Sequence, residues 1–128
     1  MSFGNFAKNG AGGNLVLSAN GVRTSDNVTL VTSGSDNDPT AAQFNVTGED
    51  DYTFTITLPN DGFLLTNADG ASETMTVNTF TSTLVAEQGT LTSGAATFGV
   101  GATLVVGADQ VVGNYVNETG FTVSVNYN

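Results

Sequence analysis

Histidine, cysteine and tryptophan are absent from this chain, and its only cations are Lys8 and Arg23. Without cysteine there are no disulfides, no thiol nucleophile and no thiolate metal site. With histidine missing as well, no ordinary route to nucleophilic catalysis is left. A Ser–Lys dyad would have to use Lys8, which sits in a Gly/Asn-rich stretch with no supporting motif. Long apolar runs are lacking too, and nothing approaches the about 20 residues of a transmembrane helix. Basic patches are excluded by composition: two cations against twelve acids give a formal charge of −10. Such a surface repels a phosphate backbone, so nucleic acid is excluded as a partner. An anionic membrane is repelled in the same way. Surface salt-bridge networks cannot form, and solubility rests on Asn, Thr, Ser and a thin coat of acids.

What remains is a chain of 128 residues with 39% hydrophobic content, enough for one domain over residues 1–128 with a core that needs no disulfide or metal. Lack of cysteine does not fix a compartment, but the Thr/Asn/Gly/Ser-rich, Lys-poor make-up points to an extracellular bacterial protein. Met1 runs straight into Ser2-Phe3-Gly4-Asn5, without a basic or apolar leader. An exported protein is therefore expected to be seen here in processed or trimmed form.

Sixteen glycines and scattered β-branched residues argue against helix. Short alternating segments bounded by Gly, Asn and Asp recur instead. Leu15 and Leu17 lead into Asn20-Gly21, a strong hairpin signal. Val28 to Thr32 reads as a strand, and Ala42, Phe44 and Val46 share one face of another. The clearest strand is "YTFTITLP", with Tyr52, Phe54, Ile56 and Leu58 inward, Thr53, Thr55 and Thr57 outward, and Pro59 as the stop. Phe63 to Leu65 follows, then "TMTVNTF" with Met75, Val77 and Thr79 on a common face, and a weaker segment at Leu84 and Val85. Val100, Ala102, Leu104 and Val106 alternate in "VGATLVV", where Gly101 marks a bulge or close contact. After a turn at Gly107 to Gln110, Val111, Val112 and Tyr115 lead into the closing strand, where Phe121, Val123, Val125 and Tyr127 alternate with small polar residues. Eight or nine short strands at regular spacing predict an all-β, antiparallel β-sandwich or barrel. The expected core is Phe44, Tyr52, Phe54, Ile56, Leu58, Val77, Leu104, Val106, Tyr115, Phe121, Val123 and Val125.

Candidate chemistry is thin. Gly10, Gly12 and Gly13 precede a strand, not the helix that a phosphate-binding loop requires. Paired carboxylates would suffice for glycoside hydrolysis, but Glu49, Asp50, Asp51, Glu73, Glu87 and Glu118 fall in loops with no spacing that makes two converge. Calcium is the one metal whose oxygen ligands the sequence offers. Asp36 and Asp38 have alternate spacing, and Asp50, Asp51, Asp61 and Asp69 lie in neighbouring turns, without a complete ligating motif. Three N-x-[ST] tripeptides, at Asn27, Asn45 and Asn117, are of the kind a Thr- and Asn-rich chain produces by chance. The outward row Thr53, Thr55 and Thr57 resembles threonine arrays that order ice or carbohydrate, though one such row is usually the wet face of a strand. No catalytic or cofactor-binding residue is expected, and no cofactor.

"SFGNF", "AAQFNVTG", "YTFTITLP", "MTVNTF" and "VGATLVVGADQVVGNYVNETGFTVSVNYN" occur in this order. Together they resemble a bacterial family known as domain of unknown function 4402, across nearly the whole chain. The match is most specific in the last third, in V-G-x-T-L-x-V, Q-x-x-G-x-Y and F-x-V-x-V-x-Y between Val100 and Tyr127. The resemblance implies a small exported protein, an immunoglobulin-like sandwich, and a pilin-like or surface role with no catalytic residues. It also implies a further strand ahead of the F-G-x-F segment, which this chain lacks. A sheet so interrupted would expose unpaired backbone groups and invite a strand from another copy. The combined expectation is a non-enzymatic, extracellular structural subunit assembled by strand pairing, with Phe121, Val123, Val125 and Tyr127 as the assembly strand. The alternative expectation is a calcium- or carbohydrate-binding sandwich module.

Overall fold

The computed structural model describes residues 1–32, 38–70 and 72–128. Its described residues form twelve strands and one single-turn 3-10 segment, Val85–Glu87, and no α-helix. The fold class is therefore all-β, with every ladder antiparallel.

The larger layer has seven strands built around β10 (Ala95–Val106). Val100 pairs with both Ser82 and Ala42, so β8 (Thr74–Ser82) and β5 (Ala42–Thr47) lie on opposite sides of β10. Beyond Val100, β2 (Gly13–Leu17) takes over the β5 side. β7 (Phe63–Asn67) and β11 (Tyr115–Val116) continue the sheet outward from β8, and β3 (Arg23–Asp26) continues it from β2. The smaller layer is in two pieces. β1 (Phe6–Lys8) pairs with β4 (Val28–Leu30), and β6 (Thr53–Thr57) lies between β9 (Gln88–Thr90) and β12 (Ser124–Tyr127).

One core joins these layers. Leu15, Met75, Val77, Phe98, Leu104 and Val106 of the large sheet meet Val28 of β4 and Phe54 and Ile56 of β6. Aromatic rings carry much of the contact: Phe44 stacks on Phe98 at 5.3 Å, and Phe121 meets Phe44, Phe63 and Phe80 at 5.2–6.2 Å. Rings at such separations gain about 0.5–1.5 kcal/mol per pair beyond their buried area.

The period-two reading holds with two corrections. Phe54, Ile56, Val77, Leu104 and Val106 are buried as expected, and Phe44, Leu58, Tyr115, Phe121, Val123 and Val125 are half-buried against them. Tyr52 is 51% exposed and lies one residue ahead of β6. Thr79 does not share the face of Met75 and Val77. It sits at φ 53°, a left-handed conformation that advances the alternation by one residue, so Phe80 takes the buried place. The register of β8 against β10 shifts at the same point, between Gly101 and Thr103. Twelve strands replace the expected eight or nine, since β1, β9 and β11 have only two or three residues, too few to show a period, while β4 is the strand expected from Val28.

The closing strand is paired inside its own chain, with Val125 and Tyr127 of β12 opposite Ile56 and Phe54. The strand belongs where its alternation can bury Val125 on the shared core, beside the strongest strand of the sequence. Phe121 and Val123 stand outside any ladder, although they continue the same apolar face.

Candidate assembly groove and sheet edges

The acids expected to hold calcium are not brought together. Asp36 lies outside the described residues. Among the described residues no three Asp or Glu side chains form a group able to hold a metal ion, so Asp38, Asp50 and Asp51 do not converge. Several loop acids cap backbone instead. Asp50 Oδ1 accepts the Ser93 N–H at 2.6 Å and the Asp51 N–H at 3.1 Å. Asp61 Oδ1 accepts the N–H of the left-handed Thr79 at 2.6 Å, fixing the bulge of β8. Asp69 Oδ2 accepts the Asn114 N–H at 2.7 Å. The six carboxylates Glu49, Asp50, Asp51, Glu73, Glu87 and Glu118 are all exposed, and none borders the concavity described next. The amide of Asn117 is engaged with the Leu64 carbonyl at 2.8 Å.

That concavity is a groove of about 970 Å³ lying over β7, β8 and β10. Its floor is apolar: Phe63, Leu65, Met75, Val77, Leu104 and Val106. One wall is the segment Met1 to Lys8, and the other runs from Gln110 to Asn117 and on to Gly120 and Phe121. No acid lines it, on a molecule of twelve acids, and Lys8 supplies its one charged side chain. The groove opens to the surface, so solvent or another molecule fills it.

Both walls are pinned by polar ties, which keeps the groove from collapsing. Arg23 forks across the first wall: its Nη1 donates to the carbonyls of Phe3 at 2.9 Å and Asn5 at 2.7 Å, and its Nη2 to Val31 at 3.0 Å. Gln110 ties the second wall to β8, donating to the Thr74 carbonyl at 3.1 Å and to the Tyr115 hydroxyl at 2.9 Å. Tyr115 donates in turn to the Val111 carbonyl at 2.7 Å. Gly113 rests directly on the buried amide of Asn67, where a Cβ would overlap it. These ties are the structural meaning of the Q-x-x-G-x-Y pattern at Gln110, Gly113 and Tyr115, whose spacing alone does not disclose a groove wall.

A planar guanidinium spreads its donors over separate nitrogens and so spans carbonyls on two chain segments, whereas an ammonium offers its three donors from one point. Arg23→Lys is therefore expected to lower stability by about 1–2 kcal/mol. Hydrogen exchange should speed up first at residues 3–8, before the rest of the chain opens. Unchanged exchange there would show that the fork does not hold the wall.

Sheet edges complete the site. β12 is an edge strand, and the Asn128 N–H donates to the Thr53 carbonyl. That bond makes Tyr127/Phe54 and Val125/Ile56 the non-hydrogen-bonded pairs of the ladder, so the backbone N–H and C=O of Val125 and Tyr127 face away from β6. The Val31 N–H donates to the Asn5 carbonyl, which sets the same phase at the other piece. Phe6/Leu30 and Lys8/Val28 are non-hydrogen-bonded pairs, and the backbone groups of Phe6 and Lys8 face away from β4.

A family model described as "Domain of unknown function (DUF4402)" matches residues 1–127. No curated protein matches the chain, and no solved structure does.

Proposed function

The chain belongs to the domain of unknown function family 4402, and on that footing we propose that it is a non-enzymatic structural subunit of the bacterial cell surface. Copies join into a filament or matrix by β-strand pairing between chains. The observation that carries this reading is an unguarded sheet edge. Soluble β proteins blunt their edges with charge, proline or bulges. The outer strand β3 of the large sheet follows that rule, with Arg23 and Asp26 on it. β12 does not: Ser124-Val125-Asn126-Tyr127 carries neither charge nor proline, and its outward backbone groups are ready for a partner. The negative charge of the chain opposes association, but at physiological salt it is screened within about 8 Å. The extracellular setting rests on composition: no cysteine, scarce lysine, and abundant Thr, Asn, Gly and Ser.

Proline at Val125 removes a donor that points outward while leaving the bonds to β6 in place. Val125→Pro should keep the monomer folded by circular dichroism and abolish its association in sedimentation experiments. Equal association of Val125→Pro and the parent chain would exclude the β12 edge as the contact.

A further inference from the structure

The smaller layer is two separate sheets, β4–β1 and β12–β6–β9, which both cover the core that the large sheet offers. The acid-free groove has β1 along one wall and Gln110 to Asn117 with Gly120 and Phe121 along the other. The β1 wall presents backbone that no ladder of the described residues uses, the outward groups of Phe6 and Lys8. A lipid tail or other apolar small molecule would cover the floor but leave those donors and acceptors unmet. An extended peptide meets both demands at once.

We propose that this groove accepts one β-strand from another polypeptide chain, apolar at every second position and free of charge on its inward face. That strand hydrogen-bonds to the backbone of Phe6 and Lys8 and extends the β4–β1 sheet across the apolar floor. The inference deepens the assembly reading and rests on it for the source of the strand, but it concerns a different surface from the outer edge of β12. Pre-set walls favour it, because the Arg23 fork and the Gln110–Tyr115 ties hold the gap open without an occupant and so lower the ordering cost of binding.

The test uses the full chain and a synthetic peptide copying residues 120–128, chosen as a ready-made alternating strand of this composition. Its addition should raise the melting temperature and slow amide exchange at Phe6 and Lys8. A shuffled peptide with its apolar residues contiguous should do neither. Lys8→Pro, which removes an outward N–H, should weaken binding roughly tenfold, the equivalent of one hydrogen bond. Lys8→Ala should stay within about threefold, since a backbone contact does not need the side chain. Peptide binding without protection at Phe6 and Lys8 overturns the proposal, as does equal protection by palmitate or absence of binding by the alternating peptide. If the chain associates through β12 yet ignores the peptide, the groove fails and the subunit reading stands. If the peptide binds and the chain never associates, the groove stands and self-assembly fails.

Discussion

Phe54→Ala is expected to lower stability by about 3–5 kcal/mol, the range for emptying a buried aromatic site. Phe54 is fully buried in β6, and its ring lies 6.5 Å from that of Phe98, which in turn stacks on Phe44. Its other neighbour is Gly89 of β9, where a Cβ would overlap the ring. Glycine has no side chain to relax into the vacancy, so the void stays open and the loss falls toward the top of the range. Thr55, the next residue of the same strand, turns to the other face. Thr55→Ala is expected to stay within about 0.5 kcal/mol. Urea titration reads both, as a shift in midpoint at unchanged slope. Comparable losses at the two positions would mean that β6 is covered on both faces, and the sandwich would have to be redrawn.

Gly101→Val should be nearly as damaging for a different reason. A Cβ at Gly101 would overlap the carbonyl of Leu17 and crowd the backbone of Ser18 and Ala19. That backbone cannot step aside, because β2 is laddered to β10 from Ala102 to Val106 immediately beyond. Overpacking of this kind costs about 1–3 kcal/mol where side chains absorb it, and here the obstacle is main chain, so the effect should lie at or above the upper figure. Gly10 supplies the contrast: it has open space where a Cβ would be placed, and Gly10→Ala should change stability by no more than about 0.5 kcal/mol. A mild effect at Gly101 in thermal unfolding would show that β2 and β10 separate readily there.

Local signals were legible in the sequence where two neighbouring rules agree. The Asn20-Gly21 turn does close the β2–β3 hairpin, with the Gly21 N–H donating to the Ser18 carbonyl at 2.9 Å and Gly21 at φ 84°. Alternation placed Phe54, Ile56, Leu104 and Val106 correctly because each lies in a strand long enough for a period to repeat. The bulge at Thr79 escaped, since threonine carries no sign of a left-handed backbone and the cause, the carboxylate of Asp61, comes from another loop. The exposure of Tyr52 escaped because a strand's face can be read from period, whereas where its sheet stops depends on a partner far away in sequence. The groove was the least legible feature. It joins Met1–Lys8 to Gln110–Phe121 across the whole chain, and only the three-dimensional arrangement shows that these walls face one apolar floor. The alternation of Phe121 to Tyr127 pointed to a strand, and Ser124 to Tyr127 does form one, laddered to β6 of its own chain.

Whether chains pair through their sheets is tested most directly by sedimentation of the full chain over a wide concentration range, followed by hydrogen exchange on the heaviest species. The account predicts growing association, with new amide protection at Val125 and Tyr127, whose N–H groups face outward in the single chain. A chain that stays monomeric throughout, or associates without protecting those amides, would contradict it.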